Sequence, residues 1–496
     1  MVKQTLDKDL DRIGQIESQG IYAGKSYKAL ALAGLFLLIV WAFSASIIET
    51  GEHSTLIIIA AIIGGYMALN IGANDVANNV GPAVGSRALT MMGALIIAAV
   101  FEAAGAILAG GDVVNTIKKG IIDPSSMENS QVFIWAMIAA LFSAALWVNI
   151  ATWVGAPVST THAVVGGVMG AGIAAAGFSV VNWGTMSAIA ASWVISPVMG
   201  GVIAAIFLAF IKVYIIYQED KIAAAKRWVP LLVAVMAGVF SAYLIMKGLK
   251  RIWRPDGVTI LFVSLALFAA VYAVVRPIIA KAAIGMENRN KSLRILFTIP
   301  LICSAALLSF AHGANDVANA VGPLAAIVST SASGAIDAKV GIPLWVMVIG
   351  AVGLSAGLFL FGPKLIKTVG EQITKMNPMR AYCVALSAGI TVLVASALGL
   401  PVSSTHIAVG AVFGVGFFRE WDTERRAKKM RSSNRPTKIN PESNLPDEKN
   451  ETRNNRRKKL VRRSHFVTII AAWIITVPCA ALLAAGIFLL ISHFAS

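Results

Sequence analysis

This chain contains about thirteen apolar stretches, each close to the length of a membrane-crossing helix, separated by polar segments. A helix needs roughly 20 predominantly apolar residues to cross the hydrocarbon core of a bilayer. Hydrophobic residues make up 57% of the 496 residues, charged residues make up 14%, and the mean hydropathy is +0.75. Soluble globular domains do not reach these values. The sequence therefore predicts an all-α polytopic membrane protein with about 12–13 transmembrane segments.

The predicted segments are spread over the whole chain. They lie near 29–48, 55–69, 88–110, 131–150, 157–176, 185–211, 229–247, 258–276, 295–312, 341–362, 379–399, 401–418 and 466–492. The 43 glycines suit closely packed helices, because small residues let backbones approach each other in lipid. The three cysteines, Cys303, Cys383 and Cys479, all lie in apolar segments, which predicts no disulfide.

The first apolar segment admits two interpretations. Residues 29–48 could be the core of a cleaved signal peptide or a retained helix. The polar leader, residues 1–27, is long for the charged region of a signal peptide, and the apolar run is long for its hydrophobic region. We therefore expect the helix to be retained.

The net charge of +17 is concentrated in loops beside apolar segments. Such a pattern indicates membrane topology rather than a nucleic-acid partner, because basic loops normally lie on the cytoplasmic side. The basic segment 419–465 is predicted to be a disordered cytoplasmic loop. Counting crossings from it places the N-terminus and the basic loops 212–228 and 277–294 on the same side, in a multi-pass protein of the plasma membrane. The same count places one basic loop on the outer side of the membrane, against the usual rule: it contains Lys247, Lys250, Arg251 and Arg254.

Two motifs occur twice in the same order. NIGANDVANNVGP at 70–82 returns as AHGANDVANAVGP at 311–323, and GAPVSTTHAVVGGVMGAG at 155–172 returns as GLPVSSTHIAVGAVFGVG at 399–416. An odd number of crossings in each half, with two helices between the halves, predicts inverted repeats, which are typical of secondary transporters with discontinuous helices. The predicted divisions are 1–50 (N-terminal segment and extra helix), 51–211 (first repeat), 212–294 (linking region) and 295–492 (second repeat).

The first motif places carboxylates and amides together inside apolar segments. We expect a helix break at each copy, where freed carbonyls, side-chain amides and a carboxylate would form an oxygen cage for a hard cation. The candidate coupling-cation residues are Asn74, Asp75, Asn78, Asn315, Asp316 and Asn319. Glu102 is the other acid well inside an apolar segment and is a candidate proton carrier, although an ordinary structural role is equally compatible with its position.

The second motif is typical of a helix start, with a proline in the first turn and hydroxyls that can cap. The free N–H groups and positive dipole end of such a helix, with added hydroxyl donors, suit a tetrahedral oxyanion. The candidate anion-binding residues are Ser159, Thr160, Thr161, Ser403, Ser404 and Thr405. His162 and His406 could titrate as proton carriers or remain neutral and hydrogen-bonded to the backbone.

An anion site beside acidic cation sites predicts coupled transport. The carboxylates would repel a multiply charged anion until cations neutralise them, so each ligand would raise the affinity for the other. This is the thermodynamic basis of symport.

The paired GANDVAN motifs and the PVSTTH and PVSSTH motifs resemble the inorganic phosphate transporter family, often called PiT, over most of residues 55–492. The resemblance implies an inverted-repeat fold, often a homodimer, that moves phosphate with sodium or protons as co-substrate and needs no cofactor. It assigns Asn74, Asp75, Asn315 and Asp316 to cation and substrate sites, with sodium at the two aspartates. It assigns the six hydroxyl residues to phosphate.

The sequence departs from a symmetric pattern at three places. Asn79 stands where the second copy has Ala320, an extra apolar span precedes the first repeat, and Glu102 has no acidic counterpart near Ser355. These departures bear on the cation and its stoichiometry more than on the transport reaction.

A protease and a channel fit this sequence less well than a transporter does. Two membrane aspartates could form the acid pair of an intramembrane protease, but every candidate group here occurs twice, and a protease needs one site with divided roles. An anion channel needs no acidic cation cage. Within the transporter class, sulfate competes with phosphate, since both are tetrahedral oxyanions; some bacterial proteins with similar motifs carry sulfate.

Overall fold

The computed structural model describes residues 27–51, 53–153, 158–249, 253–333, 341–372, 376–433 and 463–495. Within these ranges the chain forms fifteen α-helices joined by short turns and loops, and its only bridge pair is Ile122 with Val181. The helices are α1 (Tyr27–Ile47), α2 (Ser54–Gly85), α3 (Met91–Ala109), α4 (Gly111–Lys119), α5 (Ser130–Trp153), α6 (Thr160–Ala176), α7 (Trp183–Ile211), α8 (Lys221–Tyr243), α9 (Gly257–Ala282), α10 (Asn290–Leu296), α11 (Thr298–Ser333), α12 (Leu344–Gln372), α13 (Pro378–Ala397), α14 (Ser404–Ser433) and α15 (Arg463–Ala495).

The helices confirm the predicted fold class. Among the described residues, 11 helices are long and apolar enough to cross a membrane. Each of the predicted segments coincides with a helix, and the two that are not among those 11 are α6, which is only 17 residues long, and the start of α14.

The helices α5 and α6 form a hairpin whose two open ends lie together. Ile122, just before α5, bridges Val181, just after α6, and the Asp123 N–H donates to the Val180 carbonyl at 2.7 Å. Thr160, in the first turn of α6, reaches Asp75 in the interior of α2. The pair therefore enters the protein and returns to the same side.

The helices α13 and α14 form the corresponding second hairpin. Arg380 in the first turn of α13 lies close enough to Arg419 of α14 for their charges to repel, so these two ends also lie together. The turn between the helices carries Pro401 to Ser403. The two hairpins supply the discontinuous backbone that the sequence predicted.

The prediction of a helix break at the GAND motif is wrong. Both α2 and α11 run through their copies without interruption. The glycines serve close helix contacts instead: a Cβ on Gly72 would overlap the Leu354 carbonyl of α12, and a Cβ on Gly313 would overlap the Glu102 carbonyl of α3. An interior glycine costs a helix only about 1 kcal/mol relative to alanine, and close packing offsets that cost.

Each hairpin packs against a helix that comes from the other half of the chain. Helix α15 lies on α6, where added Cβ atoms on Gly166 and Gly170 would meet α15 backbone atoms. Helix α7 lies on α14, where Gly410 and Gly414 come equally close to the α7 backbone. The last helix of each predicted repeat therefore completes the packing of the hairpin in the other one.

The predicted disorder of segment 419–465 is wrong for its first part. Helix α14 continues to Ser433 because its polar extension is held to the end of α7. Lys212 Nζ lies 2.7 Å from Asp422 Oδ2, and the Tyr217 hydroxyl donates to the same carboxylate oxygen at 2.5 Å. Residues 434–462 of the predicted loop and residues 1–26 of the N-terminal segment lie outside the described residues.

Candidate transport site

The hairpin turns place hydroxyl groups beside the two buried aspartates. Ser159 caps α6 by accepting from the His162 N–H at 3.2 Å, and Ser403 accepts in the same way from the His406 N–H at 3.4 Å. The expected helix starts are therefore present. Pro401 is not in the first turn of α14, however, since it precedes the cap by two residues.

The Asp75 carboxylate receives hydroxyl groups from both halves of the chain. Thr160 donates to Asp75 Oδ2 at 3.2 Å, and Thr405 donates to Oδ1 at 3.0 Å. The Asn78 amide lies 3.4 Å from Oδ1 and donates more closely, at 2.8 Å, to the Thr405 hydroxyl. Among the described residues, the side-chain hydrogen bonds to this carboxylate thus come from the two predicted motifs.

The Asp316 carboxylate has a similar but smaller set of hydroxyl partners, because Thr161, the counterpart of Thr405, donates to the Val402 carbonyl at 3.0 Å instead. Ser404 donates to Asp316 Oδ2 at 3.0 Å, and the Asn319 amide donates to Oδ1 at 3.2 Å. Asn319 also donates to the Thr161 hydroxyl at 3.0 Å. Asn78 and Asn319 therefore reach across in opposite directions, each to the hairpin of the other half.

The remaining amides of the first motif anchor the hairpins from the side. Asn74 donates to the Thr152 hydroxyl at 2.9 Å, and Asn315 donates to the Ser396 hydroxyl at the same distance. Asn315 Oδ1 also accepts from the Val402 N–H at 3.2 Å. The structure thus gives these two candidates contacts with α5 and α13 that fix the hairpin turns.

A residue that the sequence analysis missed lies between the two aspartates. His312 is fully buried, with Nε2 2.8 Å from Asp316 Oδ2 and 3.8 Å from Asp75 Oδ2. Its Nδ1 lies 3.3 Å from Glu102 Oε1. The one available signal was the AHGAND copy itself, which places an ionisable residue where NIGAND has Ile71, directly before the shared motif.

The carboxylates and imidazole form a compact set of potential ligands. One ligand atom each from Asp75, His312 and Asp316 lie within 4.8 Å of one another, and all three residues are buried. Carboxylate oxygens suit a hard cation, whereas imidazole nitrogen is a better ligand for transition metals or a proton. The geometry fits the predicted cation position at the aspartates and adds a group that can carry a proton.

A buried polar chain continues from His312 on one side only. The Asn79 amide donates to Glu102 Oε1 at 2.7 Å, and Glu102 in turn faces His312. The corresponding positions in the other half hold apolar residues: Ala320 for Asn79, Leu354 for Glu102 and Ile71 for His312. The site is therefore nearly symmetric at its aspartates and asymmetric around them.

The histidines of the second motif pack against each other. The rings of His162 and His406 are 4.8 Å apart between centroids, and the His162 and Trp193 centroids are 3.8 Å apart with the ring planes inclined at 76°. Neither ring nitrogen of His162 has a hydrogen-bond partner in the described part of the chain. The hydrogen bond from a neutral His162 ring to the backbone, one of the two alternatives predicted from the sequence, is therefore absent among the described residues.

The fold and this site define the class of protein: a multi-pass membrane transporter built from two related halves around one buried site. The phosphate transporter family model matches residues 71–484. The chain therefore belongs to the phosphate transporter family, a family of transporters and not of enzymes.

Individual relatives extend over nearly the full length. A protein of Helicobacter pylori strain J99 named "Putative phosphate permease" is 48% identical over 97% of this chain and 98% of its own. A Pyrococcus abyssi protein with the same description is 34% identical over 87% of this chain and 97% of its own. A solved structure of the sodium-dependent phosphate transporter is similar with a TM-score of 0.77 and 33% identity, covering 88% of this chain and 99% of that one.

Proposed function

We propose that this protein carries inorganic phosphate across the plasma membrane by symport with a cation, sodium in the first instance. The observation that carries the proposal is the meeting of the starts of α6 and α14, one from each half, with Asp75 and Asp316 in one buried site. The sodium dependence of the similar solved transporter supports the choice of cation.

In this proposal the hydroxyl groups and helix starts hold the phosphate. Thr160, Thr161, Ser404 and Thr405 are buried and bonded to the motif residues in the structure, and they would exchange these partners for phosphate oxygens. The free N–H groups at each helix start add favourable dipoles for an anion. Ser159 and Ser403 act by capping the two helices.

The carboxylates hold the coupling cation. Asp75 and Asp316 supply its charge-bearing ligands, with Asn74, Asn78, Asn315 and Asn319 positioning them and the hairpins. A cation there neutralises charge that would otherwise repel phosphate. Because a phosphate that carries a proton can donate a hydrogen bond to a carboxylate and sulfate at neutral pH cannot, contact with either aspartate favours phosphate over sulfate.

Proton coupling is the second candidate, and His312 supports it. An imidazole between three carboxylates can carry a proton, and Glu102 offers a further position for that proton. His162 and His406 are less suited to this role, because a proton on either ring would place charge in an apolar contact with Trp193 or with the other ring.

The predicted topology completes the proposal. The N-terminus and the 419–465 segment lie in the cytoplasm, and the two repeats are inverted, so the first hairpin opens outward and the second opens toward the cytoplasm. The turn of the second hairpin then points to the outer face. A homodimer is the expected assembly.

Uptake of radiolabelled phosphate into proteoliposomes tests the transport proposal. We expect phosphate accumulation under an imposed sodium gradient, unaffected by excess unlabelled sulfate. Asp75→Asn and Asp316→Asn, which keep shape and remove one charge each, are expected to reduce uptake to background in protein that still inserts and folds. Accumulation under a proton gradient alone would select the second candidate, and sulfate uptake without phosphate uptake would overturn the substrate.

A further inference from the structure

A lysine outside both predicted repeats is bonded to the end of the second hairpin's first arm. Lys247 lies in the π-helical turn Leu244–Gly248 that follows α8. Its Nζ donates to Asp112 Oδ2 of α4 at 2.6 Å and to the Ala397 carbonyl of α13 at 2.8 Å. One ammonium group thus joins the linking region, the first half and the second half of the chain.

A second hydrogen bond holds the same turn two residues further along the chain, at Gly399. The Thr116 hydroxyl of α4 donates to the Gly399 carbonyl at 2.6 Å. Gly399 has φ +69°, a left-handed conformation that side chains other than glycine rarely adopt. Four residues later the chain reaches Ser403, which caps α14.

The electrostatics of these contacts are favourable at both helix ends. The last carbonyls of a helix have no intrahelical donors, and the negative end of the helix dipole attracts a cation, so Lys247 suits the C-terminus of α13. Asp112 lies in the first turn of α4, where a negative charge is favoured. The paired side chains line an open cavity and remain 27% and 38% exposed, so water reaches the contact.

We propose that Lys247, oriented by Asp112, is a positioning residue that latches the turn of the second hairpin against α4 and keeps the transport site closed on the outer side. Opening the site to that side requires the turn to leave α4, which breaks the bonds to Ala397 and Gly399. This role explains why a basic residue lies where the topology places it outside. The inference rests on the proposed function, in which this turn leads into the first turn of α14, whose hydroxyls Ser404 and Thr405 bind phosphate.

Cysteine labelling measures the latch without measuring transport. Val402 lies in the turn with no exposed surface, so a Val402→Cys reporter is expected to react slowly with a membrane-impermeant thiol reagent added from outside. The chain with its three native cysteines gives the background. Lys247→Met in the reporter background is expected to raise the labelling rate about tenfold, as loss of a charged hydrogen bond predicts.

Three further variants keep the test independent of folding defects. Lys247→Arg can still donate to both acceptors and is expected to label within about twofold of the reporter. Thr116→Val removes the second bond at nearly constant shape, so it should raise labelling alone and further in combination with Lys247→Met. Lys281→Met removes an exposed lysine of the same linking region and should change nothing.

The outcomes separate the latch from the transport proposal. Unchanged labelling in both Lys247→Met and Thr116→Val would overturn the latch, even if phosphate uptake were normal. Increased labelling in a protein that does not take up phosphate would keep the latch and overturn the function. In transporting protein, Lys247→Met is also expected to change the maximal rate more than the phosphate concentration for half-saturation.

Discussion

At the scale of single residues, the site combines a duplicated part with an unduplicated part. Asp75 and Asp316 each accept from one hydroxyl of their own half's hairpin and lie beside the asparagine three residues on, whereas the Thr405 bond to Asp75 has no counterpart at Asp316. His312, Glu102 and Asn79 form a polar chain on one side only. A two-fold arrangement of ligands alone would make the surroundings of the two aspartates equivalent. The polar side chains of His312, Glu102 and Asn79 therefore distinguish one aspartate from the other.

Asn79→Ala tests the energetic role of that chain. Asn79 donates the only side-chain hydrogen bond to Glu102 Oε1 found in the described residues, and the site is fully buried. Leaving a buried carboxyl without this donor is expected to lower the free energy of unfolding by about 1–3 kcal/mol, measured by thermal denaturation in detergent.

The matched rescue is Asn79→Ala combined with Glu102→Leu. This pair copies Ala320 and Leu354 at the corresponding positions of the other half. Replacing both partners with apolar groups of suitable shape removes the unsatisfied carboxyl, but His312 Nδ1 loses its neighbour at 3.3 Å, so stability should return part of the way toward that of the parent. A double variant no more stable than Asn79→Ala would contradict the hydrogen-bond explanation.

At the scale of helices, glycines set the distance between the crossing pairs that carry the site. Helix α11 crosses α3 at Gly313 and Gly105, where added Cβ atoms would meet the Glu102 and Phe310 carbonyls. Helix α2 crosses α12 in the same reciprocal way. Both aspartates lie within one turn of these contacts, so helix spacing determines where the carboxylates stand.

Gly313→Ala is expected to force α11 away from α3. The added methyl group meets backbone, which cannot move aside as a flexible side chain can, so we expect a loss of about 1–3 kcal/mol in stability or failure to assemble. Gly486→Ala in α15 is the control: its Cβ would meet nothing within 4 Å, and alanine should stabilise that helix by up to about 1 kcal/mol. Thermal denaturation and gel filtration of the two variants measure the difference, and equal stability would contradict the packing argument.

At the scale of the whole molecule, each half of the chain supplies a helix that packs on the hairpin of the other half. Helix α15 covers the first hairpin and α7 covers the second. Asn78 and Asn319 donate across to the opposite hairpin within the site. A ligand held by both hairpins therefore contacts groups from both halves at once, which is the arrangement that coupled binding requires.

Reciprocal linkage between phosphate and cation tests this arrangement. If saturating sodium raises phosphate affinity by some factor, saturating phosphate must raise sodium affinity by the same factor, because both describe one coupling free energy. Calorimetric titrations of the purified protein measure both factors, and Asp75→Asn is expected to reduce both together. Independent affinities in the parent protein would contradict a shared site.

The sequence by itself determined the class of protein, the repeat and most of the site. Apolar length reports membrane crossing because every backbone polar group in lipid must be paired inside a helix. Duplication revealed Asp75, Asp316 and the hydroxyl groups because a motif that occurs twice in one chain is visible without knowledge of any contact. Each of these signals is local in the sequence.

Only the tertiary structure decided how the motifs are used. Gly72 and Gly313 are compatible with either a helix break or a close crossing, and the choice depends on the carbonyl of another helix lying against them. The importance of His312 and Lys247 comes from partners distant in the chain, such as Glu102 and Asp112. His312 stands opposite Ile71 in the other copy of the motif and Lys247 lies outside both repeats, so duplication marked neither of them.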